Sequence, residues 1–184
     1  ISKGARFVTF RPAPVQAPDR FRSLADPMYD RFWNMAADAG VAIAFHGADS
    51  GYGIYLERWG ESLKYTGMKM STLTEVMGVH IERPVFDLVA SLICHGLFDR
   101  VPKLQIATVE LGAGWVPDLL RRLKRSYGKT PQLYKRDPVE TFCSNVSVAP
   151  FYEDDIAILS TLIGADRILL GSDWPHPEGL AAPR

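Results

Sequence analysis

The sequence predicts an α/β fold built on a parallel sheet. Apolar runs rich in Val and Ile alternate with amphipathic stretches in the order βαβαβαβαβ, which implies parallel strands joined by right-handed crossovers. Most of these runs are continuously apolar, as expected for strands covered on both faces. The 184 residues, 47% hydrophobic and 23% charged, suffice for one domain with a real core, so residues 1–184 read as a single domain.

The elements follow in chain order. Arg6–Phe10 (RFVTF) is the first strand. Asp26-Pro27 is a good N-cap and N1 pair for a helix over Met28–Ala39, and Gly40 stops it. Val41–Phe45 (VAIAF) is the second strand. From Gly47 to Glu82 no strand stands out, and a connection this long reads as a lid or binding loop, with Tyr52, Tyr55, Leu56, Trp59 and Tyr65 as material to pack; the other reading is a disordered insertion. Arg83–His95 carries Val85, Phe86, Val89, Leu92 and Ile93 on one helical face, with Gly96 as its stop. Leu104–Val109 (LQIATV) is the third strand. Trp115–Tyr127 has an apolar stripe opposite basic residues, with Pro117 in the first turn, where a missing N–H costs little. Asn145–Ala149 (NVSVA) is the fourth strand, Asp154–Ile163 a helix ended by Gly164, and Arg167–Leu170 (RILL) the fifth strand.

Composition narrows the function. Lys+Arg equals Asp+Glu, so no general electrostatic attraction draws the chain to nucleic acid or to an anionic membrane. No apolar run approaches the ~20 residues that span a bilayer. Cys94 and Cys143 lack CxxC spacing and read as free thiols in a reducing compartment, hence a cytoplasmic protein. The opening ISKGARFVTFRP has neither an initiator Met nor signal-peptide architecture, and it reads as part of a longer protein. The expected partner is a small-molecule substrate, and a homo-oligomer is left open.

In a parallel α/β sheet the chemistry sits at the C-terminal ends of the strands. Those tips carry Arg11, His46, Glu110 and Asp173. Imidazole and carboxylate suit a divalent transition metal, so His46 and Asp173 are the candidate ligands. The competing reading of His46 is a core histidine bonded to a backbone carbonyl. Glu110 reads as a ligand, an acid/base or a substrate contact, or else as the ion-pair partner of Arg11. Gly112-Ala113-Gly114 before a helix could cradle an anion or simply make a tight turn. After Asp173 come Trp174 and His176, the latter held stiffly between two prolines, both candidates to contact substrate. His95 reads as a helix C-terminal residue, a favourable place for a cation, and His80 lies in the long connection.

Three segments resemble the amidohydrolase-related family of the amidohydrolase superfamily, the branch with aminocarboxymuconate-semialdehyde decarboxylase and aromatic-acid decarboxylases. VAIAFHGA resembles its fifth barrel strand with a metal-binding His, here His46. GLFDRVPKLQIATVELGAGWVPDLLRRL resembles the helix, the F-x-R-x-P-x-L turn and the sixth strand. GADRILLGSDWPHPEG resembles the eighth strand with its metal-side acid, here Asp173. The resemblance implies a TIM (β/α)8 barrel with one divalent metal, usually zinc, of which this chain covers about strands four to eight. It implies two further ligands in an H-x-H pair on a first strand, a motif that this sequence lacks. Many members carry a catalytic His where this chain has Glu110, and some carry Glu in the same E-x-G-A-G-W motif.

The expected function is a metal-dependent hydrolase acting on a small organic acid, ester, lactone or amide, with Asp173 and Glu110 as catalytic residues and Arg11, Trp174 and His176 at the substrate. The alternatives are a non-oxidative decarboxylase on the same metal, and a non-catalytic α/β binding domain such as a five-stranded flavodoxin-like module.

Overall fold

The computed structural model describes residues 3–61, 71–79 and 81–171. Its main sheet has four parallel strands in sequential spatial order: β1 (Phe7–Phe10), β4 (Ala42–His46), β5 (Ile106–Val109) and β6 (Val146–Val148). A two-stranded hairpin, β2 (Val15–Gln16) with β3 (Phe21–Arg22), follows β1 and is not signalled by the apolar pattern. The predicted fifth strand is reduced to one parallel bridge, Val148 with Ile168, and the Leu169 N–H donates to the Val148 carbonyl at 2.8 Å.

The helices are α1 (Asp30–Asp38), α2 (Gly53–Arg58), α3 (Thr72–Met77), α4 (Glu82–Cys94), α5 (Leu97–Arg100), α6 (Val116–Lys129), α7 (Pro138–Asn145) and α8 (Ile156–Ile163). Their starts follow the capping chemistry. Asp26 accepts from the Met28 N–H beside Pro27, and Pro117 sits in the first turn of α6. Asp137 accepts from the Val139 N–H beside Pro138, a second Asp-Pro start, and opens α7, which the apolar periodicity does not reveal.

Strand register divides the sheet into two unlike faces. On one face lie two rows, Val8–Ile43–Ile106–Val146 and Phe10–Phe45–Thr108–Val148. These rows pack on Trp33 of α1, Val85, Val89 and Leu92 of α4, Leu119 and Leu123 of α6, Phe142 of α7 and Leu159 of α8. The opposite face carries the small row Thr9–Ala44–Ala107–Ser147, and no helix joins the core from that side among the described residues. Sequential order with helices on one face is part of a (β/α)8 barrel. A doubly wound, flavodoxin-like sheet needs a strand-order reversal and helices on both faces, and neither occurs among the described residues.

The F-x-R-x-P-x-L turn has a structural explanation. Phe98 and Leu104 are buried. Arg100 donates to Asp30 Oδ2 at 2.7 Å and to the carbonyls of His95 and Ala25 at 2.7 and 2.6 Å. It thereby ties α5 to α1 and to the end of α4. Buried Asn145 closes the same knot. Its amide donates to the Pro102 and Leu104 carbonyls at 3.0 and 2.8 Å and accepts from Arg136 at 2.9 Å. Asn145→Ala strands two buried carbonyls and is expected to cost about 2–3 kcal/mol in urea denaturation, where a surface Asn would cost almost nothing.

Both cysteines are free. Burial pushes the Cys143 thiol above its ordinary value, and the thiol contacts the Leu162 carbonyl at 3.7 Å. The neutral thiol is therefore favoured in the fold, and stability from this source falls as pH rises through the unfolded thiol's range. Alkylation of Cys143 near pH 8, followed by mass spectrometry, is expected to be slower in the native protein than in urea.

Candidate active site

His46 is the last residue of β4, on the uncovered face opposite Val109. Glu110, one residue past β5, would point to the covered face if the strand simply continued. It does not continue. Glu110 has φ +52°, the one positive φ outside glycine among the described residues. This left-handed turn brings its carboxylate round to the imidazole, and His46 Nε2 lies 3.1 Å from Glu110 Oε2. Gly47 permits the approach of the two strand tips, since a Cβ there would stand 3.0 Å from the Glu110 carbonyl oxygen.

The other ring nitrogen decides the tautomer. His46 Nδ1 is 2.8 Å from the Gly47 carbonyl oxygen, which can only accept, so Nδ1 carries the hydrogen. In the neutral ring Nε2 then presents a lone pair to a carboxylate oxygen, an arrangement that calls for a proton or a cation between them. A backbone carbonyl fixing the far nitrogen is the usual support of a metal-bound histidine. A divalent cation about 2.0–2.2 Å from Nε2 would lie beside the Glu110 carboxylate, within reach of a group bound to the ion. Among the described residues no third His, Cys, Asp or Glu joins the pair into a larger metal-binding group.

The segment after β5 is held from several sides. Leu111 and Ala113 are buried. The Trp115 indole N–H donates to the Gly112 carbonyl at 2.9 Å. Gly112 has φ +60°, and a Cβ there would meet the Phe151 ring at 2.8 Å. A Cβ at Gly114 would meet Glu82 Oε1 at 2.7 Å. The Gly-Ala-Gly turn does receive an anion, but an internal one: Asp154 Oδ2 accepts from the Ala113 N–H at 2.8 Å and the Phe151 N–H at 2.7 Å. The helix predicted from Asp154 thus begins later, at Ile156, with Asp155 as its cap.

Arg11, exposed beyond β1, donates to the Asp49 carbonyl at 3.2 Å, while Glu110 pairs with His46. In the 47–82 connection, Tyr52 donates to Asp87 Oδ2 at 3.0 Å and pins the start of the connection to α4, where Arg83 donates to the same oxygen at 3.1 Å. Burial, then the Asp87 carboxylate, raises the Tyr52 hydroxyl above its ordinary range and keeps it a donor. A cavity of about 240 Å³ beside these groups is lined by Arg22, Ser23, Tyr52, Asp87 and Ser91, not by His46 or Glu110. His95 ends α4, with Nδ1 3.2 Å from Ser91 Oγ. Asp173, Trp174, His176, His80 and Tyr65 lie outside the described residues.

A family model described as amidohydrolase matches residues 3–184. The chain belongs to the amidohydrolase family. A solved amidohydrolase from Mycobacterium avium subsp. paratuberculosis K-10 is 44% identical, with a TM-score of 0.89 over 99% of this chain and 45% of that one. The chain thus spans less than half the length of that amidohydrolase. Two more distant structures share the fold. A dihydroxybenzoic acid decarboxylase from Polaromonas sp. JS666, solved with manganese and 2-nitroresorcinol, is 22% identical, with a TM-score of 0.62 over 95% of this chain and 51% of that one. A 5-carboxyvanillate decarboxylase from Novosphingobium aromaticivorans, also with manganese, is 22% identical, with a TM-score of 0.57 over 84% of this chain and 44% of that one.

Within this amidohydrolase chain, periodicity and strand-tip reasoning point to His46 and Glu110 but miss Asp154, Phe151 and Trp115. No helix among its described residues is long and apolar enough to cross a membrane.

Proposed function

We propose that this chain supplies the His46 and Glu110 side of the active site of a metal-dependent hydrolase acting on a small organic acid, ester, lactone or amide. The observation that carries the reading is the 3.1 Å approach of His46 Nε2 to Glu110 Oε2 at the C-terminal edge of the sheet, with Nδ1 committed to the Gly47 carbonyl. His46 and Asp173 would hold one divalent cation, zinc in the first instance. Such a cation supplies Lewis-acid activation of water or of a substrate oxygen. Glu110 would orient substrate or carry a proton at Oε2. Asp173 would take the proton of the attacking water and hand it to the leaving group. Arg11, at the tip of β1, offers a guanidinium for a substrate carboxylate. Trp174 and His176 would flank the substrate, and the 47–82 connection would close over it as a lid.

A second reading, non-oxidative decarboxylation of a small or aromatic carboxylic acid, draws support from the manganese-bound decarboxylases of the same fold. One experiment tests both. The longest native product carrying these residues is purified without chelator, and its transition metals are counted. It is then assayed for proton release from esters and lactones, for amine or ammonia release from amides, and for CO₂ release from hydroxybenzoates. Stoichiometric metal with release of protons or amine supports the hydrolase, and CO₂ release replaces it by the lyase. A protein that holds no transition metal and gains none from added zinc or manganese overturns both. Glu110→Gln is expected to lower kcat about 10²–10⁴-fold with metal content retained.

A further inference from the structure

We infer that the loop between β6 and α8 positions Glu110, through Asp154 and Phe151. The functional weight of this inference rests on the reading of His46 and Glu110 as a site. A non-glycine residue in the left-handed region costs about 1–3 kcal/mol and persists only where its surroundings over-determine it. The surroundings here are specific. Asp154 Oδ2 bonds the Ala113 and Phe151 N–H groups together, at 2.8 and 2.7 Å. It therefore staples the segment after β5 to the segment after β6. Phe151 packs so closely on Gly112 that no Cβ fits between them, and the Trp115 indole holds the Gly112 carbonyl from the other end. Gly112 and Ala113 are thus fixed two and three residues beyond Glu110, and the left-handed turn at Glu110 is the way the chain connects β5 to them.

Neither Asp154 nor Phe151 is a ligand or a proton carrier in this scheme. They act through Glu110, and their effect is read at His46. A single oxygen, Oδ2, accepts both N–H groups, so the carbonyl oxygen of Asn can replace it whereas Ala cannot.

The test uses ¹⁵N NMR of the His46 imidazole in the protein as purified and again after chelator treatment, with Glu110→Gln as the reference for a lost carboxylate. Asp154→Ala is expected to move the His46 Nε2 signal most of the way to its Glu110→Gln position. Asp154→Asn is expected to leave it near wild type. A folded Asp154→Ala with a wild-type His46 signal overturns the inference. An Asp154→Asn shift as large as that of Asp154→Ala also overturns it, because charge rather than the paired N–H bonds would then be at work. If Asp154→Ala does not fold, the partly exposed Phe151→Ala decides, with a shift in the same direction expected and an unmoved signal overturning the idea. The spectrum needs no turnover, so failure here is separate from a wild-type protein that binds no metal.

Discussion

Replacing His46 by alanine is expected to abolish metal retention while leaving the fold intact. The imidazole is about half exposed, and so is its partner Glu110. An exposed pair of this kind contributes about 0–1 kcal/mol, so the melting transition is expected to move little. Metal binding is another matter. Loss of an outer-shell partner alone typically costs about 10–100-fold in affinity, and removal of a direct ligand exceeds that. The measurement is metal content after dialysis against a weak chelator, paired with a thermal melt. A His46→Ala protein that keeps wild-type metal would remove His46 from the ligand set. Loss of metal accompanied by unfolding would mean that the residue serves the fold.

The largest stability effect is expected at Phe142. It is fully buried, with its ring centroid 6.0 Å from that of Trp115, in the layer between the sheet and α6 and α7. Truncation of such a residue leaves a cavity and costs about 3–5 kcal/mol. The effect should reach the site as well, because Trp115 is the residue whose indole holds Gly112. Urea denaturation of Phe142→Ala is the check, with Trp59→Ala as the control. Trp59 is 75% exposed and is expected to stay within about 0.5 kcal/mol of wild type. A loss below about 1 kcal/mol at Phe142 would mean that the α7 layer contributes little to the core.

These two residues show how unevenly the molecule can be read in advance. His46 was visible because a histidine ending an apolar run can be placed at a strand tip by pattern alone. Phe142 lies in a helix with a weaker apolar stripe, although Asp137-Pro138 announces that helix in the same way as Asp26-Pro27 announces the helical turn leading into α1. Strand-tip reasoning puts Glu110 at the correct strand end, but its ion-pair reading points to Arg11 and not to His46. Arg11 was a reasonable candidate on charge, yet it turns to the Asp49 carbonyl. Periodicity also puts Glu110 on the wrong face, since alternation holds only while the backbone stays extended. The left-handed φ at Glu110 arises from contacts with a different loop, and no local pattern encodes it. Asp154 was hidden for a related reason. In Glu153-Asp154-Asp155 any of the three acids can cap the following helix, and only packing shows that Asp155 does so while Asp154 turns back to Ala113.

What the sequence determined by itself is local: strand and helix types, the Asp-Pro and glycine boundaries, and the family motifs around His46, Glu110 and Asp173. These depend on neighbours within a few residues, where propensity, capping and period act directly. Tertiary structure alone decided the rest. Among the described residues, sequential strand order with helices on one face decides between the barrel that the family motifs imply and the flavodoxin-like alternative. The approach of Glu110 to His46 joins the ends of two strands that are far apart in the chain. Both depend on which segments meet across the sheet, a choice made by burial of the whole helix-covered face and not by any one stretch of residues.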